Sequence, residues 1–364
     1  EEFLAGFQPH TPAHDSLSRD LERIRQYLGA ELDPAVQGVV FVACSGAGIF
    51  EVLPLGLPVP NAFVTAPTPA LRALARMSED EPVYAALLAD QREATLSLID
   101  QSARRQSVAV ESTGFPRKQM QGGWSQRRYQ QRADERIEAF ARTVAEETQR
   151  AMDEAGVETL VLAGDEQIAT TLTDAFHQTV KERIAGSVRL DVRASEREVI
   201  EATLPLAEQA ARAREMAAVA AVREGAGPGG KAVTGAIDTV TALQTGQAMT
   251  LVMNDDFAAP GWADYTLPVY GSGEPPAEHP AGGDPANIVP VALEEEAVRL
   301  ALQIGAEIEI VHSGVPVGAD ELVSTPEADE ARPRAEAARE LDRLGGIGAT
   351  LRYTLDSDQS TADL

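Results

Sequence analysis

A unit of helix, glycine and strand occurs twice in this chain, and it limits the fold more than any other sequence feature. Residues 233–243 carry apolar side chains at helical spacing, Gly246 follows, and residues 249–253 form the apolar run of a buried strand. The same order recurs over residues 294–311. Because such units stack their helices on a common sheet, the sequence predicts an α/β sandwich in this part of the chain.

A different order of elements comes before this part. Residues 83–110 contain three short apolar runs separated by polar turns, which indicates three consecutive strands. A polar loop follows over residues 111–125, and residues 137–152 then place apolar side chains on one face of a long helix. Alternating strand and helix patterns continue to residue 192. This order predicts a mixed sheet covered by helices.

The first part of the chain predicts a smaller unit. Residues 16–28 have apolar side chains at helical spacing with Ser16 as the expected N-cap, and residues 39–53 indicate a hairpin.

An alanine-rich helix over residues 205–223 opens the sandwich part. A chain of 364 residues is also too long for one ordinary core. We therefore predict three domains, at residues 1–81, 82–202 and 203–364.

Residues 255–290 interrupt the sandwich part with many prolines and glycines. Proline removes a backbone donor and glycine weakens regular structure, so this stretch is predicted to be an exposed, mobile insertion. Residues 318–333 are acidic and contain few large apolar side chains, which indicates a second mobile segment.

The charge of the chain restricts its partners. The net charge of −26 argues against general binding to nucleic acids, because proteins that bind them are usually basic. Positive charge is nevertheless concentrated in residues 104–136, which contain eight cations and three anions, a net charge of +5. Since surface charges more than about 8–10 Å apart are largely screened at physiological salt, this basic region can approach RNA. A solvated, arginine-rich helix start is the alternative interpretation.

Cysteine and histidine do not favour metal or disulfide chemistry. Cys44 is the only cysteine, so neither an intrachain disulfide nor a cysteine-rich zinc site can form. The five histidines lack ligand spacing and are interpreted as surface or satisfied core groups, so we predict no metal and no cofactor. The sequence also contains neither a membrane-span pattern nor a secretion-signal pattern. These features predict a cytoplasmic protein without a membrane partner.

Two glycine-rich motifs partly match known functional motifs, but each lacks a feature that the function requires. Residues 225–231, GAGPGGK, match part of a phosphate-binding loop, but Ala232 replaces the hydroxyl that would bind Mg²⁺. A helix pattern also precedes this motif where a strand is needed, so a flexible hinge is favoured. Residues 44–48, CSGAG, have no catalytic base at a recognisable spacing, and a tight hairpin turn explains them better.

Residues 120–132, MQGGWSQRRYQQR, combine a flexible backbone with side chains suited to RNA. Gly122 and Gly123 free the backbone at the tip of a polar loop. Arginines pair with phosphates, glutamine amides are adaptable donors, and Trp124 and Tyr129 offer stacking planes. These are the components of single-stranded RNA contacts, although a solvated surface loop is an alternative with the same composition.

This stretch resembles the catalytic loop of the archaeal and eukaryotic class I peptide-release factors. In that family Gly-Gly-Gln-Ser is followed by two residues, an arginine and an aromatic residue. This chain has GGWS at residues 122–125, then two residues, Arg128 and Tyr129. The resemblance is carried by one specific motif.

The flanks extend the resemblance from about residue 83 onward. Arg117 and Lys118 precede the loop, and a long charged helix follows it. Residues 233–253 resemble the C-terminal domain of release factors and Pelota, and GGIGATLRY near residue 350 resembles bacterial relatives of this superfamily. The resemblance implies a three-domain α/β architecture with a mixed-sheet middle domain and an α/β sandwich as C-terminal domain.

The motif departs from the family pattern at its catalytic position. In the release factors a glutamine there positions water or stabilises the oxyanion at the peptidyl-tRNA ester. Trp124 occupies that position here and cannot replace a carboxamide. Removal of one positioned donor typically costs about 10²–10³ in rate, so efficient peptide release is not expected. Gln126 is the candidate substitute, and no resemblance to the family's Asn-Ile-Lys-Ser decoding loop is found.

The resemblance leaves three hypotheses. The first is a ribosome-binding factor with weak or no peptide-release activity, in the tRNA site and reaching toward the peptidyl-transferase centre, akin to Balon-type hibernation factors of bacteria. A translational GTPase is a candidate partner. The second is a ribosome-rescue enzyme that hydrolyses peptidyl-tRNA through Gln126, and the third is an acidic scaffold that does not bind RNA. In the first hypothesis the residues that contact ribosomal RNA are Gly122, Gly123, Trp124, Ser125, Arg127, Arg128, Tyr129, Arg132, Arg117 and Lys118.

Overall fold

A computed structural model gives the fold. The part of the chain that the structure describes consists of residues 4, 7–29, 36–55, 59, 61–72, 74–75, 83–99, 106–111, 125–313 and 335–353. Of residues 106–111 and 125–134 it describes the backbone alone. Contacts divide the chain into two compact units, and Glu1–Thr65 make up most of the smaller one. All described residues from 66 onward belong to the larger unit.

The smaller unit contains a helix and a hairpin. Helix α1 covers Pro12–Leu28, and strands β1 (Gly38–Cys44) and β2 (Ile49–Leu55) pair antiparallel, as predicted. The ring of Phe41 on β1 meets the ring of Tyr27 on α1 edge-on, with 5.5 Å between centroids. This aromatic contact fixes the helix against one face of the hairpin.

The N-cap of α1 differs from the prediction. Thr11 caps the helix, because its side chain accepts the backbone N–H of His14 at 3.3 Å. Ser16 lies inside the helix, and its hydroxyl accepts the backbone N–H of Gly46 in the hairpin turn at 2.8 Å. The motif at residues 44–48 is therefore a tight turn held by α1, and the prediction of a structural role is confirmed.

A five-stranded mixed sheet opens the larger unit. Its strands are β3 (Tyr84–Ala89), β4 (Glu93–Ile99), β5 (Gln106–Glu111), β6 (Leu160–Gly164) and β7 (Ile184–Arg189). Their order in the sheet is β5-β4-β3-β6-β7. β3 pairs antiparallel with β4 and parallel with β6, so the predicted mixed sheet is confirmed.

Helices cover both faces of this sheet. They are α2 (Ser125–Ala155), α3 (Glu166–Ala175), α4 (Gln178–Lys181) and α5 (Glu196–Gly225). All six residues of β3 are buried, as expected for a strand covered on both sides. Leu87 packs in the core with α2 and α3, whereas Tyr84 packs in the core with the first half of α5. We call this sheet with α2, α3 and α4 the middle domain.

Within residues 226–313 and 335–353, the larger unit contains seven strands and three α-helices. The strands are β8 (Ala232–Thr234), β9 (Ala248–Asn254), β10 (Pro260–Asp264), β11 (Val269–Ser272), β12 (Val289–Ala292), β13 (Glu307–Val311) and β14 (Ile347–Leu351). The helices are α6 (Ala236–Gln244), α7 (Leu293–Ile304) and α8 (Glu336–Arg343). We call this part the C-terminal domain.

The C-terminal domain is an α/β sandwich, as predicted. Its main sheet has the order β13-β9-β14-β8, with β13 and β9 parallel and β14 antiparallel to both β9 and β8. Helices α6 and α7 pack on one face through residues such as Leu243 and Val298. Helix α8 and the second half of α5 pack on the other face through residues such as Leu341 and Val222.

The prediction of an exposed loop over residues 255–290 is wrong. The stretch contains β10 and β11, and these strands form a three-stranded antiparallel sheet with β12. Trp262 and Asp264 on β10 are buried. Prolines are tolerated because Pro260 begins a strand and Pro290 lies on β12, an edge strand, where no ladder donor is lost.

The linking helix also differs from the prediction. Helix α5 begins at Glu196 rather than near residue 205. Ser195 and Glu198 form a capping box, in which each side chain bonds the backbone N–H of the other residue. Pro205 lies inside the helix. The predicted domain boundaries at residues 81/82 and 202/203 remain predictions.

Gly164 at the end of β6 provides a test of the middle-domain sheet. Its φ is +142°, and a Cβ atom there would lie 2.1 Å from the carbonyl oxygen of Ala89 on β3. We expect Gly164→Ala to lower the free energy of unfolding by about 1–3 kcal/mol or more, because the strands must separate. Gly156→Ala is the matched control: its φ is +66°, nothing lies within 4 Å of the added Cβ, and only the backbone cost of about 1–2 kcal/mol applies. Urea unfolding of both variants measures the difference, and equal losses would contradict the packing described.

Candidate RNA interface

The predicted RNA-contacting loop connects β5 to α2. β5 ends at Glu111 and pairs with β4 at one edge of the sheet, and α2 begins at Ser125. Residues 112–124 lie outside the described residues. The predicted site residues in this stretch are Arg117, Lys118, Gly122, Gly123 and Trp124.

The other predicted site residues lie at the start of a single helix. The first eight residues of α2 include all of them: Ser125, Gln126, Arg127, Arg128, Tyr129 and Arg132. The helical backbone begins directly after the Gly-Gly-Trp motif, so loop and helix start are contiguous. Gln126 is the second residue of the helix rather than part of the loop.

The charge at this helix start is opposite to the usual pattern. The first turn of α2 contains no acidic residue, and Arg127, Arg128 and Arg132 follow within eight residues. A helix start carries roughly half a positive charge from its backbone dipole, so acidic side chains are normally favoured there and cations are disfavoured. The first N–H groups of a helix have no partner within the helix, and together with the dipole and the arginines they form a region suited to binding an anion such as phosphate.

The packing of α2 is described from residue 135 onward. Among the residues whose side chains the structure describes, Glu135 and Arg136 are exposed, and packing against the domain core begins at Ile137. Phe140 and Met152 are buried further along. At 1.5 Å per residue, Ser125 lies about 18 Å from Ile137 along the helix axis. Because this distance exceeds the screening length of about 8 Å at physiological salt, charges at the helix start are largely screened from charges near Ile137.

A second polar cluster, in the C-terminal domain, was missed by sequence reasoning. Glu296 on α7 is fully buried and accepts hydrogen bonds from Thr68, Tyr265 and Arg299, each at 2.8 Å. Burial, followed by the hydrogen bond to Glu296, raises the pKa of Tyr265 well above its usual range. The three consecutive glutamates at residues 294–296 were the only sequence signal for this cluster.

A buried histidine and a buried aspartate stabilise the three-stranded sheet of β10, β11 and β12. His279 Nε2 lies 3.0 Å from Asp264 Oδ2, and His279 Nδ1 accepts the backbone N–H of Ala281 at 3.1 Å. These bonds assign the proton to Nε2. The hydroxyl and the backbone N–H of Thr266, with the N–H of Leu267, hold the pKa of Asp264 below its usual value. The Asp264 carboxylate and both ring nitrogens of His279 have partners within the fold, so the cluster is structural. The interpretation of His279 as a satisfied core group is confirmed.

Two negative findings apply to the described ranges. In that part of the chain, no three or more histidine, cysteine, aspartate or glutamate side chains are grouped so that they could hold a metal ion. No helix there is both long enough and apolar enough to cross a membrane.

The chain matches one known family in sequence. Residues 69–208 match the bacterial archaeo-eukaryotic release factor family 10. This segment is less than half of the chain, and it contains the whole five-stranded sheet and the first part of α5. This match confirms, over that segment, the resemblance of the loop motif to the release factors. No curated protein matches the chain in sequence.

Solved structures of release factors and Pelota-like proteins are similar to this chain at low identity. An archaeal translation termination factor, aRF1, is 18% identical, with 97% of this chain and 86% of that chain covered and a TM-score of 0.28. Pelota from Archaeoglobus fulgidus is 15% identical, with 79% and 70% covered and a TM-score of 0.30. Dom34 from S. cerevisiae, a translation termination-like factor, is 15% identical, with 79% and 68% covered and a TM-score of 0.42. At these TM-scores the likenesses support no further conclusion.

The charge pattern of α2 predicts opposite effects at its two ends. We expect Arg128→Glu to raise the free energy of unfolding by about 0.3–1 kcal/mol, because a carboxylate replaces a cation near the positive end of the helix dipole. Arg150→Glu is the control, since Arg150 is exposed near the other end and pairs with Glu147. That variant should lower stability. Urea unfolding measures both, and a loss of stability in Arg128→Glu would show that the arginine is required for the fold.

Proposed function

We propose that this protein is a ribosome-binding translation factor in which the start of α2 and the preceding loop contact ribosomal RNA. The observation that carries the proposal is the group of three arginines, with no acidic residue in the first turn, at the positive end of a helix that is buried in the domain core further along, at Phe140 and Met152. Because the arrangement works against helix stability, a bound anion is its best explanation. The residues proposed to contact RNA are those predicted from the sequence.

The chemistry of these residues fits RNA better than a free anion. Guanidinium groups form paired hydrogen bonds with phosphate oxygens, and each phosphate neutralised releases counterions. Trp124 and Tyr129 provide rings on which bases stack. A small anion would need neither ring.

The proposed activity is binding with weak or no peptide release. A carboxamide is absent at the motif position that Trp124 occupies, so the chain lacks the donor that would hold water at the peptidyl-tRNA ester. The proposed site is the ribosomal tRNA site near the peptidyl-transferase centre, in a bacterial cytoplasm, with a role in hibernation or rescue. A translational GTPase is proposed as a second partner on the basis of the resemblance to the release factors alone.

Ribosome cosedimentation tests the proposal. Replacing Arg127, Arg128 and Arg132 together by alanine should weaken binding to 70S ribosomes by about tenfold or more, since each lost phosphate contact is charge-assisted. The slope of log affinity against log salt should fall in magnitude by about 2–3. The matched control replaces Arg142, Arg150 and Arg197, which are exposed elsewhere in the larger unit. Equal binding by both triple variants would refute the proposal.

A peptide-release assay separates binding from catalysis. We expect the wild-type protein to release little or no peptide from ribosomes carrying peptidyl-tRNA, and Gln126→Ala to change neither release nor cosedimentation. The physical reason is that Gln126 lies inside the helix, one residue beyond its start, whereas the family's glutamine belongs to the loop. Efficient release that Gln126→Ala abolishes would instead establish the rescue-enzyme hypothesis. The arginine variants serve as the binding control.

A further inference from the structure

Residues 66–75 precede the middle domain in sequence but bind to the C-terminal domain. We call this segment the strap; the structure describes all of it except residue 73. The hydroxyl of Thr68 donates to Glu296 at 2.8 Å. Leu71 and Ala75 are partly buried against the core formed by α6, α7 and the main sheet of the C-terminal domain.

One carboxylate holds the backbone of the strap. Glu295 Oε2 accepts the backbone N–H of Leu71 at 2.7 Å and that of Arg72 at 2.9 Å. The N–H of Ala75 bonds back to the carbonyl of Leu71 at 3.0 Å, so Glu295 caps the start of a helical turn. Hydrogen bonds from backbone N–H groups to an ionised carboxylate are stronger than those between neutral groups.

The guanidinium of Arg72 fixes the strap beyond the end of β9. Its two terminal nitrogens donate to the carbonyl oxygens of Phe257 at 2.7 Å and Asp255 at 2.9 Å. Glu294 lies 3.6 Å away and supplies the opposite charge. The side chains of Arg72 and Glu294 are 21% and 11% exposed, so the pair is largely removed from water. A planar group with several fixed donors suits two carbonyls better than an ammonium group would.

The other end of the middle domain is held differently. The first half of α5 is buried in the core of the middle domain through Val199 and Ala207, and its second half is buried in the core of the C-terminal domain through Val219 and Val222. Residues 208–214 between these halves contain no buried side chain. The exit from the middle domain is thus attached mainly through fully buried apolar side chains. The entry is attached mainly through hydrogen bonds and an ion pair, and its apolar side chains Leu71 and Ala75 are only partly buried.

From this contrast we propose that the strap is a releasable anchor between the middle and C-terminal domains. With the strap bound, the two domains are joined at both the entry and the exit of the middle domain. With the strap released, α5 is the remaining connection among the described residues, and bending within residues 208–214 reorients the middle domain. The change would redirect the start of α2, and this consequence alone rests on the proposed function. The strap is the releasable contact because water can replace its hydrogen bonds to carboxylates and carbonyls. Water cannot replace the apolar burial at the two ends of α5.

Distance measurements on the free, full-length protein test the anchor. Cysteines replace exposed Gln167 on α3 and exposed Gln303 on α7 in a Cys44→Ser background, and both carry spin labels. We expect one narrow distance distribution for this parent, and a broader or second distribution after Arg72→Ala or Glu295→Ala. Arg343→Ala is the control, because Arg343 is an exposed arginine of the C-terminal domain that pairs with Glu340 on the same helix. A distribution that stays unchanged in both strap variants overturns the proposal.

Hydrogen exchange provides a second readout that does not depend on labels. The amides of Leu71 and Arg72 should be protected in the wild-type protein and should exchange about tenfold faster or more in Glu295→Gln, since a neutral acceptor replaces a charged one. Thr68→Val, which loses one hydroxyl, should give a smaller increase and keeps the test valid if larger changes prevent folding. Unprotected amides in the wild-type protein would also overturn the anchor. No ribosome is present in either experiment, so a negative result would overturn the strap proposal and leave the proposed RNA contact intact. A negative cosedimentation result would likewise leave the strap proposal intact.

Discussion

The arrangement of the larger unit depends on one helix that belongs to two cores. Helix α5 has 30 residues, about 45 Å of rise, and no break between its two buried stretches. At 100° per residue, the buried positions of its first half and those of its second half are centred about 130° apart around the axis. The helix therefore meets the two sheets with different sides, and its periodicity determines how the middle and C-terminal domains are turned relative to each other. Tyr84 adds a polar contact to this packing, because its hydroxyl lies 3.0 Å from that of buried Thr203.

Sequence patterns located most elements because the apolar positions that define them are local. Strand β3 and helix α2 follow directly from alternation and helical spacing. The start of α5 was misplaced because Pro205 is typical of a first helical turn, where its missing N–H is not needed. The capping box formed by Ser195 and Glu198, a serine followed three residues later by glutamate, was visible in the sequence and marks the true start. Burial on two sheets compensates for the hydrogen bond that Pro205 removes inside the helix.

The contacts that sequence reasoning missed join residues far apart in the chain. The three-stranded sheet was hidden by prolines and glycines, yet Gly271 is required there because a Cβ atom would lie 2.2 Å from the ring of Trp262 on the paired strand. The strap binds glutamates more than 220 positions away in sequence. No local sequence pattern predicts such a pairing, because the sequence around each partner does not show that its charged side chain will be buried. The composition of the candidate RNA interface and its position at a helix start, by contrast, follow from residues 120–132 alone.

A single basic region on a strongly acidic chain has a consequence for binding that neither feature has alone. Carboxylates over most of the surface repel a phosphate backbone, so encounters in the wrong orientation are disfavoured, while the region around the start of α2 is attracted. Specificity then depends on repulsion between the acidic surface and RNA as much as on the contacts that the basic region makes with RNA. The helix contributes a further requirement, because its arginines lie at an end where the dipole disfavours cations. Packing of α2 from Ile137 onward holds the helix in the middle domain. If RNA is the partner, the protein therefore relies on hydrophobic burial in the middle domain to hold cations where electrostatics within the isolated chain would not place them.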